Sequence, residues 1–296
     1  MSSFAGNSLN LNFMKSNSSL RISFFILLLV LWGNLSAQIT DFSRIRWKSE
    51  RIAPGLIWKS AHPVLNDSIP ENINILIINL HKRKLSLSYH PDENVIVSKQ
   101  ASAKLALAAI NGGFFNIKEG GSVSYIKTGG VILDKDTSQK WSPIADLNGA
   151  LLIGNDGRIT IEGAKANGFY NSHLMYRDVL VTGPLLISSQ AKAPLSSSSL
   201  VIKRHPRTSV GKIGRDKIVL VTVDGRAKEA RGMSLSELTD LMLSLHCKEA
   251  VNLDGGGSTT MWISGKPFDG VVNIPCDNKK FDHTGERAVS NILIVK

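Results

Sequence analysis

The sequence predicts an α+β protein, a single domain built on a mixed, strand-rich sheet with few helices. Three observations point there. Short β-rich apolar runs recur along the chain, separated by Gly, Asn and Asp turn signals. Helical periodicity is confined to two stretches, Ser98 to Ala109 and Ser234 to Leu245. A hydrophobic content of 43% with 20% charged residues is that of a globular chain, and no repeat or linker divides it.

The chain opens on a targeting signal. Arg21 precedes an uncharged apolar run, Ile22 to Trp32, and the small residues of Leu35-Ser36-Ala37 follow. That is a basic n-region, an h-region too short to span a bilayer and a processing site. Residues 1–37 therefore read as a signal peptide, with Met14 a better start than Met1. No cysteine lies near Ala37, which argues against a lipid anchor. The mature chain is expected to begin at Gln38 and to work outside the cytoplasm, secreted or periplasmic, with no stable membrane anchor.

The net charge of +11 falls to +9 when Lys15 and Arg21 leave with the signal. In an exported protein such an excess points to acidic glycans or phosphate-bearing envelope material rather than nucleic acid. Cys247 and Cys276 are the only cysteines. Export permits a disulfide between them, and two buried thiols fit equally well.

Residues 38–72 read as an irregular lead-in, and residues 73–296 hold the domain. Ile73–Leu80 is a β-rich run and Leu85–Tyr89 alternates, with Asn79 to Lys84 as a hairpin connection. Ser98–Ala109 is a short helix running into Ile110. Gly149–Ile153 and Arg158–Ile161 flank Asn155-Asp156-Gly157, strong hairpin chemistry. Val179–Ile187 and Leu200–Ile202 add strands around a Ser/Ala/Pro-rich surface loop, 188–199. Lys217–Val223 is a buried strand ending at Asp224-Gly225. Ser234 with Glu237 forms a capping box, and Leu235, Leu238, Leu241, Met242 and Leu245 fall on one helix face, which is core. Ala250–Leu253, Met261–Ser264 and Ser290–Val295 complete the sheet.

The densest signal lies at Asn252 to Thr260, where a strand ends in Asp254 and three glycines and three hydroxyls follow. Gly255, Gly256 and Gly257 can turn sharply and approach a ligand, and their N–H groups with Ser258 can form an anion-binding nest. Asp224 stands in the equivalent place on the preceding strand, and the helix between them makes a strand–helix–strand crossover. Such a crossover lays its strands parallel and brings both carboxylates to one sheet edge. Paired carboxylates suit glycosidic cleavage, one protonating the leaving oxygen while the other attacks or activates water. Arg204-His205-Pro206-Arg207-Thr208-Ser209 offers a phosphate clamp. Glu286-Arg287 adds an acid and a base near Ser290. Asn111-Gly112-Gly113 is a second bare loop, followed by Phe114 and Phe115. No zinc motif, serine-esterase elbow, Walker loop or dinucleotide fingerprint is present, so neither metal nor cofactor is expected.

Asn111-Gly-Gly-Phe-Phe115, Arg207-Thr208 with Gly211, Asp224-Gly225, Arg231-Gly232, Asn252 to Ser258 and Arg287-x-Val-Ser290 occur in this order. Together they resemble the phosphodiester glycosidase family over roughly Ile73 to Val295. The resemblance implies hydrolysis of a sugar-1-phosphodiester, releasing the sugar and leaving a phosphomonoester. It implies a pocket lined by Asn111, Gly112, Arg207, Asp224, Asp254, Gly255, Gly256, Ser258 and Arg287, to which Gly113, Thr208, Gly257 and Ser290 are adjacent. Arg207 and Arg287 would hold the phosphate. Asp254, then Asp224, would be the acid/base or nucleophile, and Asn111 would bind a sugar hydroxyl or phosphate oxygen. Ala288 replaces a proline common in bacterial relatives. The family's animal member has Gln at Arg226, which leaves Arg226 a weak site residue. The expectation is an exported hydrolase acting on envelope or extracellular glycan phosphodiesters. A non-catalytic glycan-binding envelope protein is the alternative.

Overall fold

Two β-branched runs, Ile73–Asn79 and Lys217–Val223, pair along their whole length, from Ile73 against Val223 to Asn79 against Lys217. This pair lies in the interior of the larger sheet, where residues buried on both faces favour continuous Ile, Val and Leu over alternation. The computed structural model describes Met1 and residues 41–66, 68–133, 146–165 and 168–296. The expected signal peptide, residues 1–37, lies outside the described residues apart from Met1. Thr40–Lys296 cluster as one unit.

In chain order the elements are β1 (Lys48–Ala53), β2 (Leu56–Ala61), β3 (Val64–Leu65), β4 (Ile69–Pro70), β5 (Ile73–Asn79), β6 (Leu85–Tyr89) and α1 (Val97–Ala103). There follow β7 (Ala108–Asn111), β8 (Ile126–Thr128), β9 (Val131–Ile132), β10 (Gly149–Gly154), β11 (Ile159–Gly163) and α2 (Phe169–Ser172). Next come β12 (Tyr176–Thr182), β13 (Leu185–Ser188), β14 (Ala191–Lys192), α3 (Ser199–Ile202), β15 (Arg207–Lys212) and β16 (Lys217–Val223). The chain ends with α4 (Leu235–Ser244), β17 (Glu249–Asn252), β18 (Met261–Ile263) and β19 (Asn291–Val295). The larger sheet runs β1-β2-β5-β16-β15-β17-β13-β14, a second β11-β10-β12-β8-β9, a third β18-β7-β19-β6, with β3 and β4 a separate pair.

The expected mixed sheet is corrected to a set of antiparallel ones: every strand pairing among the described residues is antiparallel. The crossover from β16 through α4 to β17 does lay those strands parallel, but β15 sits between them and pairs with both. Asp224 and Asp254 thus follow strands that end at the same edge. The expected hairpin at 79–84 is instead a corner, because β5 pairs with β2 and β16 while β6 pairs with β19 in another sheet. The lead-in is not irregular: Pro54-Gly55 turns β1 onto β2, and β2 pairs with β5. The helix expected over Ser98–Ala109 stops at Ala103, and Ala108 and Ala109 enter β7, where the paired strands β18 and β19 outweigh alanine's helix preference. Leu200–Ile202 is helical, capped by Ser198.

One apolar cluster joins the inner faces of the three sheets, with Leu76, Leu220 and Val251 from the first, Leu151 and Leu180 from the second, and Ile110 and Leu293 from the third. α4 covers the outer face of the larger sheet. α1 covers the outer face of the third, packing Val97 and Ala101 among Ile292, Ile294 and Trp262.

The α4 stripe forms as expected. Leu235, Leu238, Leu241 and Met242 are fully buried, each contributing roughly 1.5–3 kcal/mol. The helix starts at a complete capping box between Ser234 and Glu237. Ser234→Ala should cost about 1 kcal/mol and lower the melting temperature by about 2–4 °C. An unchanged melting curve would show that packing alone sets the start of α4.

Candidate active site

The site forms where the edge of the larger sheet meets the end of β7. Asn111, the last residue of β7, is 1% exposed, and its carboxamide ties the two sheets together. Its Nδ2 donates to the Asp254 carbonyl at 2.7 Å, and its Oδ1 accepts from the Thr208 hydroxyl at 2.8 Å and from the Thr260 N–H at 3.2 Å. The Asp254 N–H returns a bond to the Gly112 carbonyl at 3.0 Å. Gly112 and Gly113 serve this junction. A Cβ on Gly112 would stand 2.1 Å from Asn291 Oδ1, and one on Gly113 would stand 2.9 Å from Leu180. Asn111, Thr208 and Ser290 are therefore buried beneath the site and hold its frame, with the Ser290 hydroxyl accepting from Asn291 Nδ2.

The two carboxylates reach the same edge and meet different surroundings. Asp224 is 1% exposed and accepts from Asn72 Nδ2 at 2.7 Å, Asn273 Nδ2 at 2.7 Å and the Ile274 N–H at 2.8 Å. Burial pushes its carboxyl up to about 7, against those three donors. Asp254 is partly exposed, and its Oδ1 accepts from the N–H of Gly255 at 2.9 Å. Burial lifts it to about 6. The nearby Ser258 side chain, which forms no hydrogen bond of normal geometry, the Gly255 N–H and the charges of Arg287 and Arg226 draw it back down. Of the two, Asp254 is the carboxylate with an open side.

The glycine run works differently from the expected nest. The N–H groups of Gly256, Ser258 and Thr259 are donated to the carbonyls of Pro206, Gly255 and Gly256. With the Gly255 N–H bound to Asp254 as well, the loop has few donors left for an anion. Its bareness makes room for protein groups instead. A Cβ on Gly255 would meet the Pro206 carbonyl at 2.6 Å. Gly256 has φ +61° and would press on the Arg226 guanidinium at 2.8 Å. A Cβ on Gly257 would crowd both Arg287 and Asp277. Arg287 Nη2 is paired with Asp277 at 2.5 Å, and this partner raises its pKa further.

Positive charge near Asp254 thus comes from side chains, those of Arg226 and Arg287. A cleft of about 540 Å³ is lined by Arg226, Cys276, Asp277, Lys279, Lys280 and Arg287, among others. Arg226, the weak expectation, is a cleft residue with φ +63°, and its charge acts on Asp254 and Cys276. Asp277, Asn273 and the lysine pair went unread in the sequence. Lys279-Lys280 is legible as a charge cluster, whereas nothing local marks Asn273 as a ligand of Asp224. Cys247 and Cys276 are both free thiols.

The phosphate clamp at Arg204–Ser209 is corrected. The Arg207 guanidinium is 1% exposed and donates Nε to Met233 O and Nη2 to Leu200 O and Lys203 O, all at 2.7 Å. Strand alternation sends Arg207 to the helix side of β15 and Thr208 to the side of Asn111. Arg204 is bound to Glu71 at 2.6 Å and also to Glu237. Glu286 is taken up by the start of α1, accepting from Ser98 N at 3.0 Å and Ser98 Oγ at 2.5 Å. Phe115 is core, and Phe114 is half-buried. Among the described residues no group of three His, Cys, Asp or Glu is placed to hold a metal ion.

Comparison with known proteins adds the family. The phosphodiester glycosidase family model matches residues 104–296. The bovine N-acetylglucosamine-1-phosphodiester alpha-N-acetylglucosaminidase is 42% identical over 59 residues, 20% of this chain and 11% of that protein. An uncharacterized SPbeta prophage-derived protein of Bacillus subtilis, YomE, is 28% identical over 128 residues, 37% of this chain and 20% of its own length. The chain therefore spans a fifth or less of these relatives. The zebrafish N-acetylglucosamine-1-phosphodiester alpha-N-acetylglucosaminidase catalytic domain, auto-inhibited by its pro-peptide, shares the fold with a TM-score of 0.63 at 18% identity. That likeness covers 88% of this chain and 85% of the zebrafish chain.

Arg207→Lys should act on stability. Lysine cannot reach three carbonyls with a planar fork, so at least one buried acceptor loses its donor at a cost of about 1–3 kcal/mol. Thermal melting should fall by several degrees while the folded fraction keeps its KM. A raised KM at unchanged melting temperature would return Arg207 to substrate binding.

Proposed function

The chain belongs to the phosphodiester glycosidase family, and on that premise we propose that it hydrolyses the glycosidic bond of sugar-1-phosphodiesters. The carrying observation is Asp254, a partly exposed carboxylate at a strand end, coupled to Arg226 and Arg287 of an adjoining basic cleft. The substrate's phosphate would lie against these two guanidiniums, with Lys279 and Lys280 adding to the field. The sugar's C1–O bond breaks, water's oxygen ends on C1, and the electron pair leaves on the phosphomonoester, where the arginines stabilise it. A phosphate is a good leaving group and needs little proton assistance. Asp254 therefore works ionised, as base or nucleophile at C1. Asp224, closed in by three donors, is a positioning residue that fixes Asn273 and the 273–274 backbone. The bovine relative's activity toward an N-acetylglucosamine-1-phosphodiester supports the reaction class. We place the protein outside the cytoplasm, on envelope or extracellular glycans, from the apolar run behind Arg21 and the net charge of +11.

Asp254→Asn tests the role of the carboxylate. The change is nearly isosteric, so the melting temperature should stay within a few degrees while kcat falls on the order of a hundredfold or more. Turnover of an aryl sugar-1-phosphodiester by the purified protein, measured beside binding of the same compound, also separates an enzyme from a glycan-binding protein. A ligand that titrates and is never cleaved would sink the proposal.

The pH profile assigns the proton. With the Asp254 carboxyl at about 6, the ionised form dominates above that pH. The kcat/KM should rise with pH through about 6 and be lost below it. A profile falling through the same region would instead make Asp254 the proton donor.

Arg226→Gln should raise KM for a phosphodiester substrate about tenfold to a hundredfold, the value of a hydrogen bond to a charged group, about 1.5–3 kcal/mol. Arg226 is exposed, so melting should not change. An unaltered KM would remove Arg226 from phosphate recognition.

A further inference from the structure

A second cavity, about 380 Å³, lies between β1, β2 and β5 on one side and the segment around 272–283 on the other. It shares Ile274 and Phe281 with the basic cleft, so the two are neighbours along one path. The strand register shows what underlies it. Lys48 pairs with Ser60, Ser60 with Asn74, Asn74 with Thr222 and Thr222 with Thr208. One polar row thus crosses five strands and ends at Thr208, which bonds Asn111 beneath Asp254. Two residues along each strand, the matching row is Trp58, Leu76, Leu220 and Val210, part of the shared core. Packing alone would have continued that apolar face to the edge.

Two amide atoms of residues lining this cavity have no partner, Asn72 Oδ1 and Asn74 Nδ2. Both residues are nearly fully buried, at 3% and 1% exposure. Their other amide atoms are engaged, Asn72 Nδ2 with Asp224 and Asn74 Oδ1 with the Trp58 indole N–H. Buried polar atoms without partners are rare because each is costly, and these two lie beneath the cavity floor with no open surface of their own. Phe281 supplies exposed aromatic surface of the kind that packs on sugar rings, beside Trp58, which carries the Lys266 ammonium at 5.1 Å, and His283, which stacks on Phe268. Arg46 and Lys48 are exposed and in no ion pair among the described residues, and no carboxylate lines the cavity.

We propose that this cavity is a subsite on the leaving-group side, taking an anionic sugar residue. The cations select negative charge, the rings take the apolar face, and Ser60 takes a hydroxyl. The inference rests on the phosphodiester glycosidase reading for its direction: phosphate against Arg226 and Arg287, the next sugar past Ile274 and Phe281. The substrate class that follows is a polymer whose acidic sugars are joined through phosphodiesters.

The test is a titration of the wild-type protein that requires no turnover. Glucuronate and glucose 6-phosphate serve as carboxylate and phosphate probes, glucose as the neutral control, and the Trp58 indole N–H resonance as reporter. At least one anionic probe should shift it saturably, at least tenfold more tightly than glucose. The exposed double variant Arg46→Ser/Lys48→Ser should weaken that binding at least tenfold with unchanged melting. No saturable shift with either anion, or equal binding by the variant, overturns the subsite. In kinetics, the same variant should lose about tenfold in kcat/KM on a sugar-phosphate oligomer, through KM, and nothing on a small alkyl sugar-1-phosphodiester. Equal losses on both substrates also overturn it. If no substrate is cleaved, the enzymatic reading fails while the titration still decides the subsite.

Discussion

The carboxamide of Asn111 is the constraint on which the site depends. It sits where the third sheet meets the first and makes bonds to the loop after β17, to β15 and to the start of β18. An amide is suited to this place because it offers a donor on one side and an acceptor on the other. A carboxylate there could not donate to the Asp254 carbonyl, and a leucine would leave that carbonyl and the Thr260 N–H without this partner. Gly112 pressed against Asn291 closes β7 onto β19 within the third sheet. The position of Asp254 is set by main-chain bonds within this knot, which frees its side chain for chemistry.

Around that knot the protein keeps two acids that burial alone would neutralise. Asp224 is held by amide and backbone donors, and Asp254 by one N–H and the fields of two arginines. The glycine run is what lets the arginines come so close. Each missing side chain corresponds to a protein group: a carbonyl at Gly255, one guanidinium at Gly256, and an arginine–aspartate pair at Gly257. The cleft's positive charge therefore resides in long side chains, and its geometry resides in bare backbone.

The polar row across the larger sheet gives this arrangement an extent. Thr208 and Thr222 belong to the same sheet face as the hydrophobic core, yet they carry hydroxyls toward the edge that Asp224 and Asp254 occupy. Polar atoms buried in a sheet face weaken packing unless something meets them, and here they link the neighbourhood of the glycine loop to the cavity beside Trp58.

By itself the sequence determined the local elements and the chemistry they bear. The capping box at Ser234, the hairpin at Asn155-Asp156-Gly157, the buried strand before Asp224 and the glycine run after Asp254 all follow from neighbours within a few residues, and the structure contains each of them. The motif order was enough to place the chain in its family. Tertiary structure alone decided which arginine serves which purpose. Arg207 and Arg226 look alike in the sequence, but strand alternation turns one into the carbonyls of Met233, Leu200 and Lys203 while a left-handed turn projects the other over Gly256. It also decided that β15 lies between β16 and β17, that β5 and β6 part into different sheets, and that Asn72 and Asn273 converge on Asp224 from 152 and 49 residues away. The reason is physical: a side chain's partners are fixed by which strands pair and which face it lands on, and pairing between distant segments is settled by the burial of the whole core, which no local window contains.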